Sequence, residues 1–155
     1  MIASVDADAS QLLAALHAQA FDRPWSATEM AKLLENPAAF GFISPAAEPV
    51  GFILGWAAAG EAEILTVAVA PEARRRGVGE QLAIAAAAAA AARGAQSVHL
   101  EVAENNVAAR ALYAKLGYQQ AGRRSGYYLG EGRQIDAIVM RADLRGVSAV
   151  DSASR

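Results

Sequence analysis

The chain of 155 residues has no cysteine, which rules out disulfides, thiolate metal sites and a cysteine nucleophile. Histidine is scarce: His17 and His99 stand far apart without ligand spacing, so no metal site is expected. An excess of positive charge is lacking too. With a formal net charge of −2, the diffuse attraction that drives non-specific nucleic-acid binding is absent, and no direct nucleic-acid partner is expected. The uncharged run between Glu80 and Arg93 is too short and too alanine-rich to span a bilayer, so no membrane partner is expected either. The first residues carry acids at Asp6 and Asp8 and no basic region ahead of an apolar one, which argues against a secretory leader. These absences suit a reducing cytoplasm.

Hydrophobic residues make up 54% of the chain and charged residues 19%, which favours a compact fold over disorder. Much of the apolar share is alanine, so the core must come from Leu, Ile, Val and a few aromatics. The length fits one domain, expected over 1–144, with a small polar tail over 145–155 expected to be disordered.

Leu12, Leu13, Leu16 and Ala20 repeat at helical spacing after Ser10 and predict a first helix. Ser26-Ala27-Thr28-Glu29 has capping-box spacing and predicts a second, running to about Glu35 before Asn36-Pro37. Strands are expected over Phe40–Ser44, Val50–Ala57 and Ala62–Val69, parted by turn residues, as an antiparallel meander. A helix follows from about Gly77 to Arg93, closed by Gly94; its eight alanines, Ala85–Ala92, are good helix formers and read as compositional bias. Ser97–Val102 is a strand and Asn106–Leu116 a helix closed by Gly117. Tyr118–Arg124 and Ile135–Arg141 form a last strand pair, with a long loop between them that holds Gly126, Tyr127 and Tyr128.

The most informative segment is Arg74-Arg75-Arg76-Gly77-Val78-Gly79. It lies between a strand and a helix start, where free N–H groups and the helix dipole attract an anion. A nucleotide-hydrolysing P-loop would need Gly-Lys-Ser/Thr, but Glu80 follows Gly79. A dinucleotide fingerprint would need a third small residue where Leu82 stands, and an early parallel strand. A solvated arginine run is the remaining reading. Three cations there oppose the helix dipole, and an anionic ligand among them relieves that opposition.

With this loop, Glu63-Ile64-Leu65-Thr66-Val67-Ala68-Val69-Ala70-Pro71, Leu100-Glu101-Val102, Asn105-Asn106-Val107-Ala108-Ala109 and Ala111-Leu112-Tyr113-Ala114-Lys115-Leu116-Gly117-Tyr118 occur in an order that resembles the GNAT family of acetyltransferases. Arg23-Pro24-Trp25-Ser26, Gly126-Tyr127-Tyr128 and Asp136-Ala137-Ile138-Val139-Met140 resemble its RimI branch, which acetylates the N-terminal alanine of a ribosomal protein. The resemblance implies acetyl-CoA as cosubstrate and an N-terminal peptide of a ribosomal protein as partner. It implies that Val67, Ala68 and Val69 face the pantetheine arm, that Arg74, Arg75, Arg76, Gly77, Val78, Gly79 and Glu80 cradle the pyrophosphate, and that Asn106 touches CoA. It makes Glu101 the general base and Tyr113 the general acid.

The chemistry agrees, because an amine attacks a thioester only when neutral and therefore needs a proton acceptor nearby and a donor at the departing sulfur. On the residues alone, Glu101 also reads as a solvent-facing strand residue and Tyr113 as a core aromatic. Trp25, Tyr127 and Tyr128 read as walls of a peptide site or as packing residues. The fold implied is mixed α/β, with a mostly antiparallel central sheet flanked by helices and parted between the strand ending at Val69 and the one ending at Val102. Two rival functions share these features: acetylation of a small amine or antibiotic, and a non-catalytic acyl-CoA-binding module.

Overall fold

The computed structural model describes residues 1–130 and 133–145, with the side chains at 128–130 and 133 left out of the description. The tail expected to be disordered lies outside the described residues from 146 onward. Arg145, where it was expected to begin, is tied to the Asp143 carboxylate by its backbone N–H at 2.8 Å and its guanidinium at 2.7 Å.

Two helices come first, α1 (Ser10–Ala20) and α2 (Ala27–Leu34), after a two-residue strand β1 (Ala3–Ser4) that the sequence reading missed. The expected capping box is present: Ser26 Oγ accepts from Glu29 N at 3.1 Å, and Glu29 Oε1 accepts from Ser26 N at 3.2 Å. The meander follows as β2 (Ala39–Ser44), β3 (Gly51–Ala58) and β4 (Glu61–Val69). Then come α3 (Val78–Ala92), β5 (Ser97–Ala103), α4 (Val107–Lys115), β6 (Gln119–Gly130) and β7 (Arg133–Asp143).

One seven-stranded sheet runs in the order β1-β2-β3-β4-β5-β7-β6, and every neighbouring pair is antiparallel except β4 and β5. On one face α1 and α2 pack Leu13, Leu16 and Met30 onto Ile43, Phe52, Leu54 and Ala68. On the other, α3 lays Leu82, Ala83, Ala86 and Ala90 on Ile53, Ile64, Val98 and Leu100, joined there by Tyr113 and Tyr118. The buried alanines fall at helical spacing, and having no side chain beyond Cβ they let the helix lie close to the sheet. The alanine run is thus partly core.

Leu54 pairs with Thr66 and Gly55 with Ile64, so Leu65 has no partner on β3 and forms a bulge in β4. A bulge increases local twist and bends its strand. The consequence appears on the other edge of β4, where pairing with β5 stops after Glu61↔Ser97, Ala62↔Val98 and Glu63↔His99. Beyond Glu63 the two strands part, in the place the sequence led us to expect. The last strand pair differs from expectation: the segment read as a long loop continues both strands as far as Gly130 and Arg133.

Candidate active site

The gap between β4 and β5 is bordered by backbone groups with no sheet partner. Ala70 N donates to Val50 O at 2.7 Å, so by the alternation of an antiparallel ladder Ala68 turns its N–H and C=O to β3, while Val67 and Val69 turn theirs to the gap. Ala68, grouped with them from the sequence, sits buried against α1 instead. The carbonyl of Val69 accepts from Arg74 Nε at 3.2 Å, which folds that arginine back along the loop.

Beyond Arg74 the loop turns sharply. Arg75 and Gly77 both have positive φ, 67° and 79°, and Gly77 is the N-cap of α3 without a side-chain cap bond. Among the described residues, no acceptor meets the backbone N–H of Arg75, Arg76, Gly77, Val78, Gly79 or Glu80. Successive N–H groups in mixed right- and left-handed conformations form an anion-binding concavity, and the helix dipole adds to its field. Nothing lies within 4 Å of where a Gly77 Cβ would stand, whereas the corresponding point at Gly79 is 3.6 Å from Leu112 Cδ2 and 3.9 Å from Val69 Cγ2. The start of α3 is therefore seated beside the end of β4 and α4. Glu80 adds a tie to α4 through Lys115 Nζ at 3.2 Å. Asn106, expected at the cofactor, caps α4: its Oδ1 accepts from Ala109 N at 3.2 Å.

Glu101 and Tyr113 lie on opposite faces of the sheet. Leu100 and Val102 face α3, so Glu101, between them on the strand, projects from the opposite face, the one covered by α1 and α2. Tyr113 belongs to the α3 face, where the residue is 7% exposed and its ring lies edge-on to Tyr118 at 5.4 Å. The sheet separates them except where β4 and β5 part. Burial pushes the Tyr113 phenol up to about 12 and raises that of Tyr118 as well. No hydrogen bond engages the Tyr113 hydroxyl, and among the described residues no fully buried side-chain oxygen lacks a partner, so that hydroxyl keeps contact with solvent.

Arg124 is the functional neighbour that the sequence reading missed. Its Nη1 donates to Glu101 Oε1 at 2.8 Å and Oε2 at 3.1 Å, and its guanidinium lies 4.0 Å from the Tyr127 ring centroid. Tyr127 reaches that position through a bulge in β6. Arg124 pairs with Ala137 and Tyr128 with Ile135, which leaves Ser125, Gly126 and Tyr127 opposite Asp136 alone. Asp136 closes the bulge: Oδ1 accepts from Gly126 N at 2.8 Å and Oδ2 from Arg123 Nη1 at 2.7 Å. Those two bonds hold its carboxyl below the usual range. The co-occurrence of Gly126 with Asp136 was the available signal. Tyr128 is on β6, but its side chain lies outside the described residues.

Trp25 sits on the same sheet face, held by a residue whose role was also overlooked. His17 is buried, its Nδ1 accepts from Trp25 N at 3.0 Å, and its Nε2 lies 3.1 Å from Thr66 Oγ1. The first bond leaves Nδ1 without a proton, so Nε2 carries it and donates to Thr66. Phe21 and Trp25 stack on the imidazole, with centroids at 4.3 and 5.2 Å. Burial lowers the His17 pKa, against a smaller opposing effect of Glu29. The α1–α2 loop is thereby fastened to β4 beside the gap. His99 meets Glu63 at 3.8 Å at the last paired position of the two strands. Among the described residues, no group of three or more His, Cys, Asp or Glu could hold a metal ion. No helix there is long and apolar enough to cross a membrane.

Known proteins are similar to this chain in sequence and in fold. The chain is 35% identical over 144 residues to the N-alpha-acetyltransferase RimI of Mycobacterium tuberculosis, covering 86% of each. Its fold is similar to the crystal structure of the ribosomal-protein-S18-alanine N-acetyltransferase from Escherichia coli, with a TM-score of 0.86, 27% identity and 93% of each chain covered. It also resembles the structure of Arabidopsis thaliana NAA60 in complex with acetyl-CoA, at a TM-score of 0.81 and 17% identity, over 94% of this chain and 99% of that one. The model of the acetyltransferase (GNAT) family matches residues 10–118, across the bulged β4, the N–H loop, β5 and α4, and the chain belongs to that family.

Proposed function

We propose that the chain transfers the acetyl group of acetyl-CoA to the N-terminal alanine of a ribosomal protein in the cytoplasm, by direct transfer in a ternary complex. The observation that carries this reading is the parting of β4 and β5 after Glu63↔His99, with Glu101 on one face of the sheet and the Tyr113 hydroxyl on the other. A thioester lying in that gap meets an amine from the α1/α2 face and a proton donor from the α3 face.

The N–H groups of Arg75 to Glu80 fit a pyrophosphate, since they converge at a helix start and have no acceptor of their own. The Val67 and Val69 backbone fits the amide groups of a pantetheine arm, extending β4 in the manner of an added strand. The amide nitrogen of Asn106, not used in its capping bond, remains for a CoA contact. In the reaction, the neutral amine attacks the thioester carbonyl, its proton passes to Glu101 directly or through water, and the C–S bond breaks as Tyr113 protonates the departing thiolate. Burial keeps Tyr113 protonated throughout the working range, so its proton is present when the thiolate leaves.

An α-amine, with a pKa near ~8, reaches its neutral form more easily than a lysine near ~10.4. That favours a protein N-terminus as acceptor for a site with one carboxylate. The names of the relatives, an N-alpha-acetyltransferase and a ribosomal-protein-S18-alanine N-acetyltransferase, support the same acceptor. Trp25, packed on the α1/α2 face, and Tyr127, stacked on the Arg124 that holds Glu101, share a sheet face with Glu101, which supports reading them as walls for an extended peptide; Tyr128 is read as part of the same wall from the sequence.

The test is CoA release from acetyl-CoA with a panel of N-terminal peptides, polyamines and aminoglycosides. Peptides beginning with alanine should be the best acceptors. Preference for a polyamine or aminoglycoside would move the chain to the small-amine reading, and no release with any amine would leave only acyl-CoA binding.

A further inference from the structure

Before any acceptor arrives, the proposed base already holds a cation. One Nη1 of Arg124 bridges both Glu101 oxygens at 2.8 and 3.1 Å, and the same guanidinium rests 4.0 Å from the Tyr127 ring centroid. The Arg124 side chain is 53% exposed and that of Glu101 22% exposed, so the cation sits on the solvent side of the carboxylate, where an acceptor must enter. At neutral pH an α-amine with a pKa near ~8 arrives mostly as an ammonium. An ammonium and a guanidinium both donate N–H bonds to a carboxylate and carry the same charge. They therefore compete for the same two oxygens.

We propose that Arg124 is a place-holding cation, occupying on Glu101 the position that the acceptor's ammonium takes, and yielding it on binding while staying over the Tyr127 face. The residue type suits the task. A guanidinium stays protonated and is no nucleophile, so it neutralises Glu101 beside a reactive thioester without being acetylated itself. A planar guanidinium also stacks on an aromatic ring, which gives the displaced side chain a nearby resting place. The bulge closed by Asp136 brings Tyr127 back over Arg124, and a Cβ on Gly126 would stand 2.8 Å from Gln134 Oε1, at a φ of +63°. Displacing a partly exposed ion pair is a modest cost, and that makes the exchange reversible. Arg124 then acts as a positioning residue that sets how strongly an amine must bind.

The inference rests on Glu101 being the group that meets the acceptor's nitrogen, as in the proposed function. Its test compares the wild type with Arg124→Gln in two measurements: KM for an alanine-starting peptide at saturating acetyl-CoA, and the inhibition constant of the same peptide already N-acetylated. The free amine competes with Arg124 and the amide does not. Removing the cation should lower the KM about two- to five-fold and leave the inhibition constant unmoved. A rise in KM, an unmoved KM, or a parallel change in both constants would overturn the inference. Glu101→Gln separates it from the reading beneath. If that variant turns over normally while Arg124→Gln lowers KM as described, Glu101 seats the amine without being the base; if it loses turnover while Arg124→Gln leaves KM unmoved, the base assignment stands and the place-holder fails.

Discussion

Replacing Gly77 by alanine should separate the cost of folding the loop from the cost of using it. Gly77 has φ +79°, and no atom lies within 4 Å of the position its Cβ would take, so the substitution brings strain without a clash. An L-residue in that conformation costs roughly 1–2 kcal/mol. If the exposed loop keeps its shape, that strain appears as lost stability, a fall in Tm of about 2–8 °C for a domain of this size. If the loop relaxes instead, binding must restore it, and the Kd for acetyl-CoA rises roughly 5- to 30-fold. Gly60 supplies a matched control. Its φ is +82°, it too has nothing within 4 Å, and it lies in the β3–β4 turn at the opposite end of β4 from the loop. Calorimetric titration with acetyl-CoA and thermal melts of Gly77→Ala and Gly60→Ala give four numbers. We expect the Gly60 variant to lose comparable stability and keep its Kd, and the Gly77 variant to show a weakened Kd, a lowered Tm or both. Two variants with the same Tm and the same unaltered Kd as the wild type would refute the reasoning, because the left-handed turn would then be neither strained nor needed.

Three further expectations follow from other parts of the molecule. Tyr113→Phe should lower kcat by about 10²- to 10⁴-fold with little change in acetyl-CoA affinity, and since the phenol is pushed up to about 12, the wild-type rate should show no alkaline fall from this group below about pH 11; a phenol acting at its ordinary value would produce such a fall near pH 10. For His17, burial sets the folded pKa below that of the unfolded chain, so the unfolded state binds more protons as pH falls below about 6.5, and stability drops there. Melts from pH 7.5 to 5.5 should show a smaller acid loss in His17→Gln than in the wild type, and equal slopes would contradict the assignment. Leu54→Ala, which empties a fully buried position on β3 beside the β4 bulge, should cost about 2–5 kcal/mol in chemical denaturation, and a loss below about 1 kcal/mol would show that α1 and α2 do not pack there as described.

The parts of this protein that were legible in its sequence are those written in local patterns. The Ser26/Glu29 capping box, the period-two strands and the glycine-bearing loop after Val69 each signal themselves within a few residues, and they fixed the helices, the meander and the start of α3. Glu101 and Tyr113 were legible as residue types at family positions, but not their placement on opposite faces. That follows from the alternation of β5 together with the side on which α4 packs, a tertiary fact. Arg124 was invisible because its partner is 23 residues away and the pairing depends on the register of β6 against β7, set by a bulge. The same bulge explains the misread loop: Gly126 and its neighbours look like loop chemistry, yet Asp136 supplies the bond that lets the strand continue. His17 carried no motif, since its task, joining Trp25 to Thr66, is spread over three elements.

A titration of the isotope-labelled protein with CoA, followed through its backbone amide resonances, bears most directly on the claim that a diphosphate sits at the start of α3 and its thioester arm runs between β4 and β5. The amides of Gly77, Val78 and Gly79, with those of Val67 and Val69, should move together and saturate with one affinity, while Gly60 and Ser97 at the closed end of the strands stay in place. Perturbations confined to other regions, or none at millimolar CoA, would contradict it.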